Sequence, residues 1–321
     1  MQAYLLLQFK GDSDGESLIM QHPFAPDFEP GTLLAKVRAK TATALACGAL
    51  QPIETQYEFV EQGEIRFLVR ILANIGRKER AKEVQEETSK ATGKVINPFL
   101  PYDEELFVTN ITDTHLCLLN KYNVVDNHIL IVTRAFEEQD SWLTEADFEA
   151  LWACMAEIEG LAFYNGGTLA GASQRHKHLQ LVPLPMAPDG SALSLDGLIQ
   201  SAPFQGHHGS IPTLPYIHGI VRLSRDWLGV ALPGKYLLDC YQKVMRGIGL
   251  NLQASVPDKP YNLLITRQWM LAVPRCQDSY HTIPVNSLGF AGSLLVKNDE
   301  QMALLKEMGP LTLLQNVACP I

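Results

Sequence analysis

The sequence predicts an α+β fold: a largely antiparallel sheet with helices packed on it. Three observations lead there. Between residues 106 and 132, short apolar runs rich in β-branched residues alternate with turns. Longer stretches with helical spacing lie on either side of them. Strands and helices then follow one another without the strand–helix–strand rhythm of a parallel sheet. With 321 residues, 46% of them hydrophobic and 19% charged, the chain can bury a sizeable core, which excludes disorder and fibre. A single domain spanning residues 1–321 is expected.

The elements follow in order. Tyr57 to Ala91 reads as helix, a helical insertion over about 57–92: Phe67, Leu68, Ile71, Leu72 and Ile75 keep helical spacing, and a charged stretch from Arg77 to Lys90 follows as a solvated face. Gly93 closes it, and Asn97-Pro98 bends the chain. Leu106 to Thr109, His115 to Leu119 and His128 to Val132 read as strands, with turns at Thr112-Asp113 and Asp126-Asn127. Thr144 and Asp147 form a capping box. The helix it opens carries Phe148, Leu151, Met155 and Ile158 and is expected to end near Tyr164, before Asn165-Gly166-Gly167.

A strand from His176 to Val182 follows, stopped by Pro183 and Pro185. Residues 186–215, rich in Gly, Pro, Ser and Ala, read as a connector, with His207-His208 as a surface pair between glycines. Leu237 to Leu252 reads as helix; Tyr261 to Thr266, Met270 to Val273 and Leu294 to Val296 read as strands.

The balance of 26 basic against 35 acidic residues gives a formal charge of −9. That lacks the basic footprint of a nucleic-acid binder, yet leaves room for a local cluster that takes a phosphorylated small molecule. Cys47, Cys117, Cys154, Cys240, Cys276 and Cys319 form no Cys-x-x-Cys pattern and read as reduced, scattered, mostly core thiols. Met1 to Phe9 lacks the build of a signal peptide, and no run approaches the ~20 apolar residues of a membrane helix, so a cytoplasmic location without membrane partners is expected.

The chemistry concentrates in Gly171-Ala172-Ser173-Gln174-Arg175-His176-Lys177-His178-Leu179-Gln180. A His-x-His pair alone is weak, arising by chance in about one such chain in four. On a strand, however, residues two apart share a face, so His176, His178 and Gln180 form one polar row, with Lys177, Leu179 and Leu181 opposite. Three readings are open: two metal-ligating histidines, two hydrogen-bonded structural ones, or a nucleophile. No third metal ligand lies nearby in the sequence. A partly unprotonated imidazole can attack phosphorus and leave again. The small residues ahead of it let backbone N–H groups approach phosphate oxygens, and Ser173 and Gln174 add side-chain donors.

Asn165-Gly-Gly followed by Ala-Gly-Ala-Ser-Gln-Arg-His-Lys-His-Leu-Gln resembles the nucleotidyltransferase branch of the histidine-triad superfamily, and within it the diadenosine tetraphosphate phosphorylases, or ATP adenylyltransferases. Gly93-Lys94 before Asn97-Pro98-Phe99-Leu100, the block Leu118 to Val125 with His128, and the closing block Asn286 to Gly292 with Leu295-Val296-Lys297 are similar to the same family, in order, over about 90–300.

The resemblance implies a histidine-triad-like sheet and phosphorolysis of diadenosine tetraphosphate (Ap4A) to ATP and ADP through an adenylyl-histidine. It implies His178 as nucleophile, His176 as its orienting neighbour through the backbone carbonyl, and Gln180 where the superfamily's hydrolases carry a third His. Asn120 would bind ribose; Lys94, Lys121, Asn165, Ser173, Gln174 and Lys297 would hold the polyphosphate, beside Gly171 and Ala172; Asn286, Ser287, Leu288 and Ser293 would line the pocket. A divalent cation, magnesium, is expected to come bound with the substrate and not in a dedicated site. Asn123 and Asp126 depart from the family's two prolines, and Ser293 from its Met. A dinucleoside polyphosphate hydrolase, another nucleotidyltransferase and a non-enzymatic nucleotide sensor are the alternatives.

Overall fold

A computed structural model describes residues 26–72, 97–206 and 208–321. Its centre is a ten-stranded sheet in which every neighbouring pair is antiparallel. A hairpin precedes it in the chain: β1 (Thr55–Gln62) and β2 (Ile65–Leu72). The large sheet then takes β3 (Phe107–Asn110), β4 (His115–Leu119), β5 (Ile129–Thr133), β6 (Gly160–Gly166), β7 (His178–Pro183), β8 (Phe204–Gln205), β9 (His208–Gly209), β10 (Gly219–Arg222), β11 (Tyr261–Ile265) and β12 (Trp269–Pro274). Their spatial order is β3-β4-β5-β7-β6-β11-β12-β10-β9-β8. A two-stranded ribbon, β13 (Ser279–Tyr280) with β14 (Ile283–Pro284), follows, and β15 (Ser293–Val296) joins β2 in parallel.

The helices described are α1 (Leu33–Cys47), α2 (Glu145–Glu157), α3 (Asp196–Ser201), α4 (Pro233–Gly247), α5 (Ser287–Phe290), α6 (Asp299–Met308) and α7 (Pro310–Val317). The capping box forms as expected: Thr144 Oγ1 accepts the Asp147 N–H, and Asp147 Oδ2 accepts the Thr144 N–H at 2.7 Å.

The strand pleat divides the buried side chains between two faces. Leu179 and Leu181 join Ile129, Ile131, Ala162 and Tyr164 in a core covered by α1, α2 and α4. On the other face, Phe163 and Val182 belong to a second core with β2, β15 and α7, while Leu130 and Val132 belong to a small third cluster with Phe99, Leu116 and Leu118. Register sets Gln180 opposite Leu130 on one side and Phe163 on the other, and His178 opposite Val132. The polar row therefore lies in the seam between two apolar clusters.

Four sequence expectations change. The stretch 57–72 is a hairpin, not helix, turned at Gly63 with φ +60°; the rest of the expected insertion, 73–92, lies outside the described residues. Its apolar run fits both periods because β2 buries side chains of both faces, Phe67 and Val69 on one and Leu68 and Arg70 on the other, while β1 and β15 pair its two edges. The helix after Thr144 stops at Glu157, not Tyr164, and Gly160–Gly166 is a fully buried central strand. Gly160 is required there, since a Cβ would stand 2.5 Å from the Val182 carbonyl oxygen. The connector over 186–215 is structured: α3, β8 and β9 form in it, and Leu195, Leu198, Ile199, Ile211 and Leu214 enter the second core. Finally, Cys276 and Cys319 form a disulfide, leaving four free thiols. An antiparallel bridge between Arg275 and Ala318 brings together two cysteines 43 positions apart.

Candidate active site

His178 opens β7 and is 4% exposed. Its Nδ1 lies 2.8 Å from the His176 carbonyl oxygen, so Nδ1 carries the proton and donates it. Nε2 is then the lone-pair nitrogen, and it meets no hydrogen-bond partner among the described residues. Burial, assisted by the neighbouring His176, lowers the His178 pKa to about 4, so the ring is neutral at physiological pH.

His176 precedes the strand and is tied by an isolated bridge to Glu138. Its Nε2 lies 2.8 Å from Thr133 O and 3.1 Å from Ala135 O and must donate; its Nδ1 accepts from Asn97 Nδ2 at 2.9 Å. Burial lowers its pKa as well. The Phe99 ring stands 5.6 Å from the His176 ring and 5.3 Å from that of His178. The Asn97-Pro98-Phe99 segment thus packs on both.

Gln180 is held from the side. His128 Nε2 lies 3.0 Å from Gln180 Oε1, and His128 Nδ1 lies 3.1 Å from Asn120 Nδ2. Asn120 donates to Nδ1, Nε2–H donates to Oε1, and the Gln180 amide nitrogen keeps its hydrogens unpaired among the described residues. His128 therefore orients a member of the row and links it to Asn120.

Asn165 and Ser287 meet in a buried polar network. Asn165 Oδ1 accepts from Asn262 Nδ2 at 2.9 Å, from the Ser287 N–H at 2.9 Å and from the Ser287 hydroxyl at 2.8 Å. Asn165 Nδ2 has no partner among the described residues. Asn262 also donates to Ala170 O at 2.8 Å and accepts from Arg275 Nη1 at 2.6 Å. Arg275, 1% exposed, gives its other N–H groups to backbone carbonyls, and burial lowers its pKa to about 10. Gly171, at φ +90°, touches this network from above: a Cβ there would come within 2.8 Å of Asn286 Cβ. Close approach of two chain segments requires the glycine.

The remaining expected residues spread more widely. Ser173 is exposed, with Ala172 and Gln174 half-buried beside it. Leu288 is buried in α5, whose N-cap is Asn286. Ser293 opens β15 and Lys297 follows its end, on the smaller sheet and not on the one carrying His178. Lys121 is half-buried with its ammonium 5.9 Å from the Tyr122 ring centroid. Lys94 lies outside the described residues. The unexpected Asp126 acts on buried Arg70, and Asn123 uses its amide on Val125 O. Arg267 caps the end of α2 through Met155 O and Ala156 O.

Sequence reasoning missed Gln139 and Lys177. The Gln139 amide accepts the His178 N–H and donates to His178 O and Asn165 O. Lys177 Nζ, on the far face, binds Glu137 Oε2 at 2.8 Å, Trp142 O at 3.0 Å and Asp147 Oδ2 at 3.0 Å; Asp147 Oδ1 binds His115 Nε2 at 3.0 Å. Lys177 stood in the motif, but its partners come from 30 to 40 positions away, and no local pattern announces them.

A neutral imidazole with a free Nε2, amide donors beside it and a glycine-bearing loop nearby form an arrangement suited to nucleophilic group transfer. Two family models match the chain: the Ap4A phosphorylase N-terminal domain over residues 24–201 and the ATP adenylyltransferase C-terminal domain over residues 212–320. The chain belongs to the Ap4A phosphorylase, or ATP adenylyltransferase, family, a family of nucleotidyltransferases. It is 31% identical over 241 residues to diadenosine 5',5'''-P1,P4-tetraphosphate phosphorylase 2 of Saccharomyces cerevisiae, across 67% of this chain and 73% of the yeast protein. It is 26% identical over 214 residues to Protein APA1 of the same yeast, across 59% and 64% respectively. In fold it is similar to yeast Ap4A phosphorylase Apa2 in complex with Ap4A, with a TM-score of 0.74, 24% identity and coverage of 90% of this chain and 97% of that one. The Apa2 complex with AMP gives a TM-score of 0.71 at 25% identity, covering 90% and 98%.

Proposed function

We propose that this enzyme cleaves Ap4A with inorganic phosphate to ATP and ADP, reversibly, through an adenylyl group carried on His178. The observation that carries this reading is the hydrogen bond from His178 Nδ1 to the His176 carbonyl, which leaves Nε2 unprotonated and aimed away from the backbone. In the first step the Nε2 lone pair attacks the α-phosphorus of one adenylate. The Nε2–P bond forms and the bridging P–O bond breaks, so ATP departs with that oxygen. The ring gains positive charge, which the His176 carbonyl dipole stabilises at Nδ1–H. In the second step a phosphate oxygen attacks the same phosphorus, ADP forms, and the bonding pair returns to Nε2.

The amide nitrogens of Gln180 and Asn165 are proposed to hold the phosphoryl oxygens, with Ser173, Gln174 and the backbone at Gly171 and Ala172 closing over them. Asn120 is proposed for ribose, and Lys94, Lys121 and Lys297 for the outer phosphates, near Asn286, Ser287, Leu288 and Ser293. Gln180 accepts no proton as a third His would, so water lacks a base, whereas the phosphate dianion is already nucleophilic. Among the described residues no three His, Cys, Asp or Glu side chains are grouped to hold a metal ion. A divalent cation, magnesium in our reading, would arrive with the polyphosphate. The acidic charge of −9 supports small nucleotides over nucleic acid as partners. No helix among the described residues is long and apolar enough to cross a membrane, and we place the enzyme in the cytoplasm.

Product analysis tests the reading. Incubation with Ap4A should release ADP and ATP in equal amounts only when phosphate is present. AMP with ATP, independent of phosphate, would make it a hydrolase instead; tight binding without products would make it a sensor.

A further inference from the structure

The ladder between β6 and β7 ends one rung early. Pairing runs from Gly160↔Pro183 to Phe163↔Gln180. Continued in register, the next hydrogen-bonded rung would join Asn165 to His178. The Gln139 side chain occupies that rung. Its Oε1 accepts the His178 N–H at 2.8 Å, and its Nε2 donates to Asn165 O at 3.0 Å and to His178 O at 3.2 Å. A side-chain amide thus replaces the backbone amide that β6 would have offered, and the two strands part at that point.

Gln139 is itself fixed at every polar atom. Its N–H donates to Arg175 O at 2.7 Å, and its carbonyl accepts the Tyr164 hydroxyl. The side chain is enclosed, with the residue 3% exposed. Asn165 and His178, the two residues it separates, both carry a free nitrogen on the sheet face where Phe163 and Gln180 lie. Direct pairing would draw their Cα atoms to roughly 5.5 Å and close the gap between those side chains.

We propose that Gln139 is a positioning residue for the adenylyl transfer: it is an inserted rung that holds His178 and Asn165 apart by the width of a phosphoryl group and fixes the backbone from which the nucleophile projects. This rests on His178 being the nucleophile. Misplacement of a reacting group by about 1 Å costs ~10²-fold in rate. Substitution at Gln139 is therefore expected to act on the bond-forming step and not on nucleotide binding.

Two variants test this by rapid-quench measurement of adenylylation at saturating Ap4A without phosphate, alongside AMP affinity. Gln139→Met keeps the volume and loses all three hydrogen bonds. Its adenylylation rate constant should fall ~10²-fold while AMP affinity stays within about threefold. Gln139→Glu keeps the acceptor for the His178 N–H but sets a carboxylate against two carbonyl oxygens. Protonation restores a donor, so its rate relative to wild type should rise as pH falls. Tyr164, Asp140, His176, His178, Lys177 with Glu137, and the Arg175–Glu138 pair are the other titratable groups around this position. They are common to both proteins, so the ratio reports only what the new carboxylate changes. Rates within about twofold of wild type, a flat pH ratio, or a loss of AMP affinity as large as the loss of rate would each overturn the proposal. His178→Ala in the same assay separates the two ideas: an adenylylated His178→Ala protein would sink the nucleophile itself, whereas unaltered Gln139 variants beside an inactive His178→Ala would sink only the inserted rung.

Discussion

Two faces of one short segment use opposite electrostatic strategies. On the face toward the seam between the apolar clusters, His176 and His178 are buried and uncharged, each with a lowered pKa and each hydrogen-bonded through a ring N–H to a backbone carbonyl. On the other face, Lys177 is buried with its charge matched by Glu137 and Asp147, which in turn holds His115. One side keeps a nitrogen free for chemistry; the other locks the strand to the N-terminus of α2. Because alternate residues point to opposite faces, a slip of one position would exchange His178 and Lys177 between the two faces. The anchor thus fixes the face on which the proposed nucleophile stands.

The comparison gives four expected outcomes, in decreasing size. His178→Ala should remove turnover by at least ~10⁴-fold, about 5.5 kcal/mol of barrier, while loss of the buried ring lowers the thermal midpoint by only a few degrees and leaves the protein folded. Steady-state phosphorolysis and calorimetry check both halves. Lys177→Met should leave Asp147 and Glu137 without their shared cation. Loss of one partner of a buried pair costs about 3–5 kcal/mol, and His115 keeps the effect toward the lower end. Urea unfolding reads it, and a loss below about 1 kcal/mol would show that the anchor is not structural.

The third outcome concerns acid. The folded pKa of His178 is about 4, below the unfolded value of ~6.5. The unfolded chain binds the extra proton, so this group's contribution is complete above pH ~6.5 and is lost as pH falls through about 4. Wild type should therefore lose up to about 3 kcal/mol more than His178→Gln between pH 7 and pH 4, by urea midpoints at each pH. An equal loss would mean that His178 is not held neutral. The smallest effect belongs to the end of the anchor. Thr144→Ala removes the cap on the Asp147 N–H and should cost ~1 kcal/mol with kcat intact. A larger effect on kcat than on stability would place Thr144 in the site.

Much of the candidate site's geometry was legible in the sequence because it is local. His176, His178 and Gln180 share a face at two-residue spacing, and the small residues from Gly171 lead into them. The capping box at Thr144 was equally local, as were strands such as His115–Leu119, reproduced to the residue. What stayed hidden depends on pairing across the chain. Ile65–Leu72 carries apolar residues at both helical and strand spacing, and only its place between two other strands decides the matter. Gly160–Gly166 is buried on both sides, and periodicity cannot separate such a strand from the tail of a helix. Gln139, His128 and Asn262 act through partners 8 to 97 positions distant, so nothing beside them in the sequence marks their role. The Cys276–Cys319 disulfide was hidden for the same reason.

The central claim is that His178 carries the adenylyl group. The most direct measurement is mass spectrometry of the enzyme quenched at alkaline pH after brief exposure to Ap4A without phosphate. The account expects one added AMP, located on the peptide bearing His178, stable in base, released by acid, and discharged as ADP when phosphate is added before the quench. Adenylate found on any other residue, or full turnover with no adenylylated enzyme at any time, would contradict it.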